Sequence, residues 1–75
     1  MNHQRRKILA EIRKHLDFAK LDLEQIAEEE RDAFENMSEG LQVTSLGVKL
    51  EENASNLEEA RILLENCIAH LEEVL

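Results

Sequence analysis

The sequence predicts an all-α fold: an antiparallel two-helix hairpin, coiled-coil-like, that completes a four-helix bundle as a dimer. Three observations predict it. Two long segments carry apolar residues at alternating spacings of three and four, the pattern of packed helices. The two apolar seams mirror one another, their paired positions summing to 83 along the chain. No Pro interrupts either segment, and the 2 glycines, Gly40 and Gly47, fall between or just inside them.

The first helix is expected from about Gln4 to Asn36, rich in Leu, Ala, Glu, Lys and Arg. One seam row is Leu9, Leu16, Leu23, Glu30 and Met37; the other is Ile12, Ala19, Ile26 and Ala33. A connector over 37–44 follows, in which Ser38 suits the N-cap of a single turn, Glu39 to Gln42. Thr44 or Ser45 suits the N-cap of the second helix, about Ser45 to Val74, although Gly47 in its first turn weakens that boundary. The second helix offers Val43, Leu50, Leu57, Leu64 and Leu71 beside Leu46, Asn53, Ala60, Cys67 and Val74. Pairing Leu9 with Val74, Leu16 with Cys67, Ile26 with Leu57 and Met37 with Leu46 aligns both seams in one register. The two polar exceptions, Glu30 and Asn53, meet in the same register and read as a pin that fixes the pairing. Residues 1–75 form one domain, each helix roughly 45 Å long at ~1.5 Å per residue.

Composition excludes other classes. With 0 Pro, 2 Gly and 1 Cys, the chain is no collagen, low-complexity linker or disulfide scaffold. No apolar run exceeds three residues, as in Ile62-Leu63-Leu64, far short of the ~18 residues of a membrane span. A net charge of -8 disfavours direct nucleic-acid binding, because phosphates would be repelled. Charges at Glu11, Arg13 and Lys14 break any apolar signal-peptide core, and a lone Cys suits a reducing compartment. The expected location is the cytoplasm, with no membrane partner.

One narrow seam is a small core for 75 residues, so a second copy is expected to supply the rest. Ala27, Phe34, Ala54, Ile68 and Leu75 lie on one flank of the expected seam and are the candidate oligomer interface. Phe18, Leu21 and Ile62 lie further round. Charge is uneven as well. Residues 1–20 hold six Lys or Arg and two acids, residues 21–75 three bases and fifteen acids. Glu51, Glu52, Glu58, Glu59, Glu65, Glu72 and Glu73 occupy two adjacent outer positions and form an acidic rail. Glu28, Glu29, Asp32, Glu35 and Glu39 form an acidic tip. Such rails serve solubility in any small helical protein. A field of this sign also attracts basic partners, including proteins that otherwise bind nucleic acid.

Nothing in the sequence points to catalysis or to a cofactor. Ser38, Thr44, Ser45 and Ser55 have capping or surface explanations, and no Gly-rich phosphate loop is present. His15 and His70 fall near one another, but structural zinc takes four ligands, so no metal is expected. Cys67 reads as a buried thiol facing Leu16, and His3 as part of a frayed end.

The stretch Glu28-Glu-Glu-Arg-Asp-Ala-Phe-Glu-Asn-Met-Ser-Glu-Gly-Leu-Gln42, the Leu-Glu-Glu-Ala at 57–60 and Arg5-Arg6-Lys7 resemble a group of small helical proteins encoded by bacteriophages and prophages. Ser38 stands where that pattern often has Pro, and Thr44 to Gly47 is less charged than usual. The resemblance implies a viral accessory protein made in a bacterial host cytoplasm and carries over no functional residues. The leading expectation is a non-enzymatic interaction protein that binds and modulates a host protein through its acidic surface. An oligomeric sponge for a host nucleotide signal, its phosphates held by Arg5, Arg6, Arg13, Lys14 or Lys20, is the alternative. A virion structural spacer is a third.

Overall fold

The computed structural model describes residues 1–75 and is entirely helical. Its elements are α1 (His3–Glu35), α2 (Glu39–Gln42) and α3 (Ser45–Val74). The molecule is a rod of 58 × 14 × 13 Å. Its radius of gyration is 17.1 Å, against about 11 Å for a compact domain of this length. No helix is long and apolar enough to cross a membrane.

Each helix starts on a side-chain cap. Asn2 accepts from the Arg5 amide at 2.8 Å, so α1 begins one residue before Gln4. Ser38 accepts from the Leu41 amide, and Thr44 from the Gly47 amide. These oxygens satisfy amides that have no partner in the first turn. The end of α1 is held differently: the Gln42 side-chain amide reaches back from α2 and donates to the Phe34 carbonyl at 3.2 Å. The carbonyls that end α3 receive the Arg6 guanidinium, at 3.0 Å on Leu75 and 3.4 Å on Val74. A cation there also favours the negative end of the helix dipole.

The two long helices run side by side in opposite directions. Arg6 touches residues 74 and 75, Arg13 pairs with Glu72, Arg61 with Glu24 and Asn53 with Glu30. Gly47 is buried because α2 crosses the start of α3. A Cβ at that position would lie 2.6 Å from the Leu41 carbonyl oxygen and closer still to that of Gln42. The residue that weakened the expected boundary is the one that lets the backbones meet.

The seam differs from the expected one by one row on each helix. The row of Leu9, Leu16, Leu23, Glu30 and Met37 is half-buried, but its partner row is Arg13, Lys20, Ala27 and Phe34. In α3 the row of Leu50, Leu57, Leu64 and Leu71 is joined by Gly47, Ala54, Arg61 and Ile68. Ala27, Ala54 and Ile68 are the buried apolar residues of the chain. They are therefore the core of the helix pair, not a flank left free for a second copy. Phe34 is half-buried beside them, and of that expected interface only Leu75 keeps substantial exposure, at 38%. Conversely Ile12, Ile26, Leu46, Val74, Ala33 and Cys67, all assigned to the seam, are exposed. Cys67 is a free surface thiol rather than a buried one.

The physical reason is that two rows satisfy a three–four spacing with the same leucines, one three residues on and one four. Counting apolar residues selects the wrong row, because the right one contains Arg13, Lys20 and Arg61. Long basic side chains bury their methylene stems along a seam and carry their charge to its edge. Small residues at Ala27, Ala54 and Gly47 let the helices close on one another.

Candidate interaction surface

The altered seam gives the rod two unlike flanks. On one flank every ion pair of the chain gathers. Arg61 is its centre. The guanidinium donates from Nη2 and Nε to Glu58 Oε1, at 2.6 and 3.1 Å, and from Nη1 to Glu65 Oε1 at 2.7 Å. Nη1 also lies 3.7 Å from Glu24 Oε1, which ties α3 to α1. Nearer the chain ends, Arg13 Nη2 sits 2.8 Å from Glu72 Oε1 and extends weakly to Asp17. Hydrogen bonding from Arg61 holds the Glu58 carboxyl below its ordinary value. Partial burial works against this, and the charges of Arg61 and Arg31 reinforce it. Hydrogen bonding to Glu58, opposed by burial and aided by the charges of Glu58, Glu65 and Glu24, raises Arg61 in turn.

These contacts divide the expected acidic rail. Glu58, Glu65 and Glu72 are spent on Arg61 and Arg13. Glu51, Glu52, Glu59 and Glu73 are exposed and make no ion pair. At the tip, Glu28, Glu29, Asp32, Glu35 and Glu39 are all exposed; Glu29 accepts from the Gln25 amide and none pairs with a cation. Residues 28–52 carry eight acids against Arg31 and Lys49. The unneutralised charge is therefore concentrated at the tip, while the rail is half consumed by the fold.

On the opposite flank exposed apolar side chains are interspersed with polar ones, and one polar contact joins the two helices. Asn53 Nδ2 donates to Glu30 Oε2 at 3.3 Å, both residues half-buried. The pair sits in an open groove of about 290 Å³ with Ile26, Asn56 and Leu57. A second groove of about 290 Å³, lined by Met1, Arg5, Ile8 and Leu9, lies at the far end. No group of three or more His, Cys, Asp or Glu side chains is placed to hold a metal ion, His15, His70 and Cys67 included. Of the basic residues considered for phosphate, Arg6 is engaged with the end of α3 and Arg13 with Glu72.

Comparisons with protein-family models, with curated proteins and with solved structures find no match. What the sequence reading missed is the role of the arginines. Glu58 and Glu65, three residues before and four after Arg61, are the ion-pair spacings of a helix face and mark that arginine as an organising residue.

Proposed function

We propose that this chain is a non-enzymatic interaction protein of phage type. It acts as a homodimer whose helices form a four-helix bundle, and it docks its acidic tip on a basic, nucleic-acid-binding surface of a host protein. The observation that carries the reading is the unpaired tip. Glu28, Glu29, Asp32, Glu35 and Glu39 stay in solvent without cations, although the same chain pairs Glu58, Glu65 and Glu72 internally. Exposed charge of one sign speeds encounter with an oppositely charged surface and makes the complex salt-sensitive. The nucleotide-sponge alternative draws less support, since two of its phosphate-binding arginines are occupied within the fold.

The test is capture from bacterial lysate by the wild-type chain and by a variant with Glu28→Lys, Glu29→Lys and Glu35→Lys. The expected result is a basic protein held at low salt by the wild type, released by salt or by competing DNA, and lost with the variant. Equal retention by the variant, or indifference to DNA, overturns the acidic-tip reading.

A further inference from the structure

The apolar flank opposite the ion pairs has no cover within the chain. Ile8, Ile12 and Ile26 on α1 and Leu46, Leu63 and Val74 on α3 are between 41% and 63% exposed. They fall on the same side of the leucine rows, the side away from Arg13 and Arg61, and form a stripe from the chain ends to the tip. Ala19 and Ala60 lie half-buried near its middle. The chain exposes 5576 Å², whereas a compact monomer of 8.7 kDa exposes about 4,700 Å². The excess, roughly 800 Å², matches what each partner contributes to a protein interface of standard size.

We infer that this stripe is the surface on which a second copy of the chain packs antiparallel, about a two-fold axis, the tip of one protomer at the end where the other has its chain ends. The inference rests on the homodimer of the proposed function and names its contact surface and direction. Area supports the occupant: the excess is about one partner's share of a standard interface, and a two-fold axis sets the same stripe of each copy against the other. Charge decides the direction. With both tips at one end, two regions of eight acids and two bases would lie side by side. Antiparallel, the two tips instead lie at opposite ends of the dimer, apart from one another and open to solvent. The alanines at the centre let the helices of the two protomers approach closely at the two-fold axis.

Solution mass and cross-linking test this. The wild type is expected at twice the 8.7 kDa chain mass. Ile12→Glu with Ile26→Glu is expected to reduce it to the single-chain mass, while Leu21→Glu, exposed on another face, leaves it unchanged. Cross-linking needs no unfolding-prone variant. In a Cys67→Ser background, Ala60→Cys lies near the axis and is expected to join to its own copy with a short bis-maleimide. Leu46→Cys, at the tip, is expected to remain single. A wild-type chain at the single-chain mass overturns the homodimer itself. A dimer that survives the double glutamate variant but not Leu21→Glu overturns the surface alone. A dimer that links through Leu46→Cys and not through Ala60→Cys overturns the direction.

Discussion

Replacing Gly47 with Ala sets two effects of opposite sign against each other. In an unobstructed helix the change is favourable, by at most about 1 kcal/mol, since Gly loses more backbone freedom on folding. Here the added methyl would meet the backbone oxygens of Leu41 and Gln42. Ordinary contact begins near 3.4 Å, the Leu41 oxygen lies at 2.6 Å and the Gln42 oxygen nearer still, so α2 must retreat by at least about 0.8 Å. It cannot do so freely. Ser38 caps it, Thr44 donates its hydroxyl proton to the Leu41 carbonyl, and Gln42 is bonded to Phe34. Overpacking of this kind costs about 1–3 kcal/mol, and each weakened hydrogen bond about 1 kcal/mol. The net expectation is a loss of about 1–2 kcal/mol. For a chain of this size that lowers Tm by roughly 5–15 °C. Thermal melts followed by circular dichroism, at one fixed protein concentration, read the shift. Gly40→Ala is the control: nothing lies within 4 Å of its added methyl, and the same substitution should raise Tm slightly. An equal rise for Gly47→Ala would show that α2 does not press on the start of α3, and the account of the tip would fall with it.

Three further outcomes follow from the seam. Asn53→Leu removes the donor that reaches Glu30 and should cost about 1 kcal/mol, whereas Glu30→Leu with Asn53→Leu should recover that loss or exceed the wild type; a double variant less stable in urea than either single one refutes this. Ala54→Leu should lower stability by about 1–3 kcal/mol, because Ala54 is 1% exposed and sets the spacing of the helices; an unchanged urea midpoint would place it off the seam. The Glu58 carboxyl titrates below its ordinary value of 4.5 in the folded chain, so its contribution is present above that pH and is lost as pH falls through the lowered value. Glu58→Gln should therefore flatten the decline in Tm measured below 4.5, and an identical decline in both proteins would count against the Arg61 pairing.

Much of the candidate surface was legible in the chain, but not all. The unpaired tip follows from sequence alone, because its acids outnumber their neighbouring cations whatever the packing. The rail was legible as a row of charge; the spacing of Glu58 and Glu65 about Arg61 also marks their pairing, but the loss of Glu72 to Arg13 on the other helix was not legible. The apolar flank was legible only as surplus hydrophobicity. The residues first assigned to it, Ala27, Ala54 and Ile68, are buried, and those assigned to the seam, Ile12, Ile26 and Leu46, are in solvent.

The sequence by itself determined the helical class. Strong helix formers without Pro, interrupted near Gly40 and capped by Ser38 and Thr44, leave the backbone little else to adopt. A seven-residue leucine repeat also settled that the helices pack lengthwise. Which side of the leucines turns inward was decided only by the tertiary structure. The repeat is satisfied equally three or four residues on, and residue type alone favours the more apolar row. The choice is made where the helices meet. Gly47, Ala27 and Ala54 permit close approach, and Arg13 and Arg61 find carboxylates across the seam that offset part of the cost of placing them there. The close approach and the Arg13–Glu72 and Arg61–Glu24 pairs exist only between two helices already side by side.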